Sequence, residues 1–343
     1  MLPLSATQAI SPAFARARLV LIAPFLWGRT WKIAATGYVA AMGSVFFPFP
    51  LLIVPILLAF RGVPKVRPLW IDLGWAGTVV LMALFVWAFL LCSHLQFPMF
   101  AMVLDREQFV RPEWEHSRKR AWRWARWKLT AGLLMSLVPC AGVAWFVLIV
   151  SSGKHSRPHS AMGFFFAMVL GYLLFALSFM LMALVNDLVL PAVALEDLPI
   201  RLALRCAWDL ACRDPGQVAL YAVLRIALGF VGQIMVSVAL QVAMYALMLP
   251  IGFLSMFAGM AHLPTVLMGT LFGLFALLAF ASYVYALPLG MGSVLVFLEA
   301  YRLYFLAERY PLLAERLGRS TPPAPVPPPI GMWPAPLPPP EIG

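Results

Sequence analysis

The chain has 343 residues, of which 63% are hydrophobic and 11% charged, with a formal net charge of +11. A soluble domain carries roughly 45–50% apolar and about 25% charged residues, so this composition excludes an ordinary soluble enzyme. The apolar residues lie in long runs and predict an all-α, polytopic membrane protein, and the positive charge reads as the Lys and Arg bias of cytoplasmic loops.

Residues 11–29, SPAFARARLVLIAPFLWGR, are basic and apolar, as expected of a helix lying in the headgroup plane. Arg29 and Lys32 follow the apolar stretch at once with no small-residue cleavage site, so a signal peptide is not expected. A first span is expected at about 33–60, interrupted by Pro48, Pro50 and Pro55, and a second at about 73–97, bending at Pro98. The most charged segment comes next. Within residues 112–128, the run SRKRAWRWARWK puts Lys119, Arg123 and Arg126 on one helical face, with Trp124 and Trp127 between them. Bases interleaved with aromatics can hold single-stranded nucleic acid. Flanked by apolar spans, these five residues read instead as contacts to anionic phospholipid headgroups, and no nucleic-acid partner is expected.

The third and fourth spans fall at about 129–150 and 162–190, and the stretch from Asn186 to Gly216 joins the fourth to the fifth. In it, Asp197 reads as the N-cap of a surface helix over 197–213, with Pro199 in its first turn. Asp197 with Arg201 and Arg205 with Asp209 are spaced as i,i+4 pairs, and Ile200, Leu204, Ala207 and Ala211 line the other face. The sequence Asp214, Pro215, Gly216 stops that helix. The fifth span is expected at about 217–248, then a loop from Pro250 to Pro264, then the sixth at about 266–298 with a bend at Pro288. Residues 1–316 thus form one six-span domain of three helical hairpins, each preceded by a cytoplasmic interfacial helix. Twenty Lys and Arg fall on the side of both termini and five on the other, which puts both termini in the cytoplasm. Residues 317–343 read as a disordered proline-rich tail. Eleven prolines lie between Thr321 and Gly343, and such a tail could be a polyproline-II ligand for a cytoplasmic protein.

Ionisable groups within spans are costly and mark candidate sites. If the fourth span continues to Leu195 and the fifth starts near Gln217, Asp187, with Asn186 beside it, and Arg225 each lie eight residues deep, about 12 Å at 1.5 Å per residue. Opposite charges at matched depth on consecutive helices can pair, or can line a polar site open to the cytoplasm with His94 and Glu299. No HExxH, GxSxG, P-loop or paired-aspartate motif occurs. The four cysteines show neither zinc nor disulfide spacing, so neither a cofactor nor a metal is expected.

Four segments carry a family resemblance: SPAFARARLVLIAPFLWGRTWK at the start, WEHSRKRAWRWARWKL, NDLVLPAVALEDLPIRLALRCAWDLACRDPGQVALYAVLRI, and FLEAYRLYFLAERY at the end. In this order they resemble a family of bacterial six-span membrane proteins of unknown function. That family is similar to the group named after the membrane domain of glycerophosphodiester phosphodiesterases. The resemblance implies a fold and an inner-membrane address, with no activity attached. The expected role is a non-enzymatic protein that assembles or organises partners. The alternatives are a transporter or channel for a small or amphipathic solute, and lipid sensing at the inner leaflet.

Overall fold

In hydrocarbon, backbone polar groups must be paired within the protein, and a helix pairs them within one segment. The chain accordingly folds into helices throughout its described residues, which are 5–23, 26–44, 68–105, 110–151, 158–260, 265–307 and 309–320. In this computed structural model they comprise nine helices and no strand. These are α1 (Ile10–Leu21), α2 (Trp27–Met42), α3 (Pro68–Asp105), α4 (Val110–Ser151), α5 (Pro158–Leu195), α6 (Ile200–Arg213), α7 (Pro215–Met260), α8 (Thr265–Ala307) and α9 (Pro311–Ser320).

Among the described residues, three helical segments are long and apolar enough to cross a membrane: Leu73–Asp105, Pro215–Pro250 and Phe272–Ala307. A shorter apolar segment covers Met180–Leu195. A 36-residue helix is about 54 Å long, against a hydrocarbon core of about 30 Å. The excess length sets up two zones. Near one end of the helices Met102, Leu104, Leu190, Val193, Leu303 and Leu306 are buried in a protein core. Further along, Val80 and Trp87 on α3, Phe230 and Val238 on α7, and Leu274 and Phe280 on α8 face outward. Apolar surface of this extent marks a face that meets something other than water.

Helix α8 is the axis of the packed zone, touching α1, α2, α3, α7 and α9. Small residues set its closest approach. A Cβ at Gly292 would stand 1.8 Å from the Ala34 carbonyl oxygen, so α2 and α8 meet backbone to backbone there. On its other flank α2 meets α3, where a Cβ at Gly43 would lie 2.4 Å from the Ser93 nitrogen. Helix α1 buries Ala13, Ala17, Val20 and Leu21, a spacing of four, three and one that lines one helical face. Arg16 on that face is buried too. Its Nε donates to Val103 O at 3.0 Å and its Nη2 donates to Leu104 O, so a guanidinium closes the C-terminal carbonyls of α3.

Several expected boundaries move. Residues 11–29 are not one helix: α1 ends at Leu21 and α2 starts at Trp27. The expected 112–128 helix and 129–150 span are one continuous α4. Helices continue through Pro98, Pro191, Pro250 and Pro288, so the helix expected to stop near Met248 runs to Met260. Apolar neighbours and adjacent helices make intrahelical proline tolerable in membrane segments. α9 carries helix to Ser320, taking in the first four residues of the expected tail. The later part of the expected first span, with its three prolines, and residues 321–343 lie outside the described residues.

The junction after α5 also differs from expectation. The N-cap of α6 is Pro199, with no side-chain cap. Asp197 is in the left-handed region, φ 49°, and its Oδ1 takes Arg123 Nη2 of α4 at 2.5 Å rather than pairing with Arg201. Helix α6 buries Ala203, Ala207 and Leu210, while Ile200, Leu204 and Ala211 are half-buried and Trp208 is 70% exposed. The apolar face is thus the expected one, turned by a fraction of a helical step. Arg309 pairs with Asp214, which ties the end of α8 to the turn between α6 and α7.

Candidate functional site

A layer of buried polar side chains crosses the packed zone and joins α2, α3, α4, α5, α7 and α8. Its first half centres on Asp187, 1% exposed. Arg225 Nε on α7 stands 2.7 Å from Asp187 Oδ2, so the charges at matched depth do pair. Arg225 Nη1 also donates to the Tyr221 hydroxyl at 3.0 Å, one helical turn earlier, and that hydroxyl donates to Asp187 Oδ2 at 3.3 Å. A second guanidinium, Arg302 on α8, places Nη1 3.7 Å from Asp187 Oδ1 and pairs with Glu299, three residues earlier on its own helix. Arg302 lies over the Phe100 ring, 5.5 Å from its centre. Tyr221 stacks between Phe305 at 4.3 Å and Tyr301 at 5.2 Å, and the Tyr301 hydroxyl donates to Ala6 O at 3.0 Å.

The second half centres on Lys128, which is fully buried. Its ammonium has three donors and places them on three oxygens: Asn186 Oδ1 at 3.0 Å, Gln96 Oε1 at 3.1 Å, and the Gly43 carbonyl. The Gly43 carbonyl is at the C-terminal end of α2, where the helix dipole is negative and a cation is favoured. Gln96 Oε1 also takes the Trp124 indole N–H at 3.3 Å, and Gln96 Nε2 donates to Ala40 O at 3.2 Å. Ser93 Oγ donates to Gly43 O at 3.2 Å. Asn186 and Asp187 are sequence neighbours, so the two halves form one layer. It contains three cations, Lys128, Arg225 and Arg302, and two carboxylates, Asp187 and Glu299.

The residues expected to form a polar site therefore separate. Asn186, Asp187, Arg225 and Glu299 come together. His94 is buried elsewhere, with its ring stacked on Trp114 at 3.7 Å and edge-on to Trp122 at 6.3 Å. Its Nε2 has no hydrogen-bond partner. The expected headgroup row splits as well. Lys119, Arg123 and Arg126 are exposed, but Trp124 is fully buried and Trp127 stacks on it at 5.0 Å. Trp124 faces inward because it belongs to a seam of Ser117, Ala121, Trp124 and Lys128, all buried at spacings of four, three and four.

Lys128, Arg302, Gln96 and Tyr221 are the members that sequence reasoning missed. The signal for Lys128 was its register. It lies two residues from Arg126, about 200° around the helix, and so on the opposite face from the basic row. Arg302 carried no such signal, since an arginine near a span's end ordinarily snorkels to the interface. Among the described residues, no cluster of His, Cys, Asp and Glu could hold a metal ion. Among the described residues, the groove beside Trp127 and the one beside Asp105 are lined by neither Asp187 nor Arg225.

Residues 4–315 match a family of unknown function, DUF7544, and the chain belongs to that family. No curated protein and no solved structure matches it. The resemblance to the membrane-domain group of glycerophosphodiester phosphodiesterases finds no support in these comparisons.

Proposed function

We propose that this DUF7544 protein is a non-enzymatic, six-span protein of the bacterial cytoplasmic membrane that organises other components there. The observation that carries this reading is the direct contact of Asp187 with Arg225 at 2.7 Å. A solute site needs polar groups that face a cavity and are free to change partners. In this protein Asp187, Arg225, Arg302 and Glu299 are engaged with one another, and Lys128 is engaged by three oxygens. Such a layer ties six helices together, although Asp187 Oδ1 and Arg302 Nε are buried in it without a hydrogen bond.

The outward surfaces of the packed zone are what remain available to partners. They include Trp208 and Leu202 on α6, and Phe14 on α1. In this reading α1, the start of α4, and α6 lie along the cytoplasmic headgroups with both termini on that side, and the proline-rich sequence of residues 321–343 serves as a ligand for a cytoplasmic protein. The bases of α4 face anionic lipid.

The test reconstitutes the full chain in proteoliposomes and measures proton and ion flux, alongside site-specific photocrosslinking from position 208 in cells. The organising role predicts flux at the level of protein-free vesicles and a discrete crosslinked partner. Flux that disappears in Asp187→Asn while the protein accumulates normally would establish the transport alternative instead. A partner set that is unchanged by deleting residues 321–343 removes the tail from the account.

A further inference from the structure

Outside the buried layer, the basic row and the junction between α5 and α6 enclose an open groove of about 410 Å³. This volume is in the range of small-ligand sites, roughly 300–1,000 Å³. One side is polar: Arg123, Arg126 and Thr130 of α4. The wall from α5 and the junction is apolar, with Val193, Leu198 and Ile200, and Trp127 lies on α4 among the polar three. Arg123 already gives one N–H to Asp197, but a guanidinium has five. Arg126 makes one weak hydrogen bond, Nε to Trp122 O at 3.4 Å, and no ion pair among the described residues. The Thr130 hydroxyl donates to Trp127 O at 2.8 Å, which leaves its oxygen lone pairs as acceptors.

The groove also sits at a particular level of the chain. Arg123 and Arg126 lie near the end of the charged run, which Lys128 closes, and Thr130 is the second residue of the apolar run that begins at Leu129. A ligand filling it must present an anion to two guanidiniums and hydrocarbon to the opposite wall, at the boundary of the apolar zone. We propose that the groove binds an anionic phospholipid. Its phosphate sits on Arg126 and Arg123, its headgroup hydroxyl faces Thr130, and its first acyl carbons lie against Trp127, Val193 and Ile200. Arg–phosphate contacts are charge-assisted and often bidentate, and exceed an exposed carboxylate pair in strength. Asp197 is the internal competitor: its side chain is 62% exposed and that of Arg123 46%, so the pair exchanges for phosphate at little cost.

The test uses the full chain, purified into nanodiscs of phosphatidylcholine with graded phosphatidylglycerol, and counts lipids retained by native mass spectrometry. The wild type is expected to retain phosphatidylglycerol in preference to phosphatidylcholine. Arg123→Gln with Arg126→Gln is expected to reduce that retention by about ten-fold or more, one charge-assisted contact being enough for such a factor. Arg126→Lys keeps part of it, and Asp197→Asn raises it. Retention that is equal in wild type and double variant overturns the site, as does equal retention of the two lipids. Displacement of the lipid by millimolar inorganic phosphate would mean that the groove takes the free anion, and the phospholipid assignment would fall. Circular dichroism of each variant separates loss of binding from loss of fold. Should the double variant unfold, Arg126→Gln alone decides the matter.

Discussion

Lys128 is the sharpest place to perturb the buried layer, because its environment is defined on all sides. Replacing it with Met keeps the stem and removes the ammonium. Three oxygens then lose a donor, but unequally. Gly43 O keeps Ser93 Oγ at 3.2 Å, and Gln96 Oε1 keeps the Trp124 indole at 3.3 Å. Asn186 Oδ1 has no other hydrogen bond of this kind to fall back on. The loss of one fully stranded acceptor, at about 1–3 kcal/mol, and two weakened ones is partly offset because a cation no longer has to be desolvated. The expected cost is about 2–3 kcal/mol. It is measured by reversible unfolding in mixed detergent micelles, or as a fall in the thermal midpoint in nanodiscs. Adding Asn186→Leu removes the stranded acceptor, so the double variant should recover part of the loss. If Lys128→Met lies within about 0.5 kcal/mol of wild type, as an exposed position would, then Lys128 reaches the surface and the inward seam is misplaced.

Two further outcomes follow from the packing. Gly292→Ala must move α2 away from α8, since its Cβ would meet Ala34 backbone; expression and thermal midpoint should fall sharply, whereas Gly269→Ala, which meets nothing within 4 Å, should leave both unchanged or slightly raised. Arg16→Ala uncaps the Val103 and Leu104 carbonyls and should cost about 2–3 kcal/mol, in the range for hydrogen bonds from a charged donor; amide exchange at the end of α3 should accelerate more than exchange in the middle of α7.

How far the sequence predicts these features depends on what sets them. The helical class and the long apolar segments follow from composition, because hydrocarbon admits few backbone solutions. The pairing of Asp187 with Arg225 was readable because depth along consecutive spans is a one-dimensional quantity. Rotation about a helix axis is less accessible. Lys128 and Trp124 sit within a run that is basic and aromatic on every face, so composition alone hides the inward seam. Arg302 was hidden by proximity to a helix end, and His94 was grouped with Asp187 by depth although it is committed to Trp114. Helix ends moved because proline marks a boundary in water more reliably than within a long apolar run. Asp197 was taken from its cap role by a tertiary partner, Arg123, that lies 74 residues away.

The claim on which the rest depends is that the buried charges hold each other rather than a solute. A double-mutant cycle of Asp187→Asn and Arg225→Gln, read by unfolding free energy with proton flux measured on the same samples, tests it most directly. Asp187→Asn leaves both Arg225 and Arg302 without their shared carboxylate and should cost about 3–5 kcal/mol. The double variant leaves Arg302 with Glu299 and should be more stable than Asp187→Asn alone, with a coupling of about 1–3 kcal/mol, while flux stays at the protein-free level in every sample. Additive stability effects together with a flux that only the charge variants lose would contradict the account.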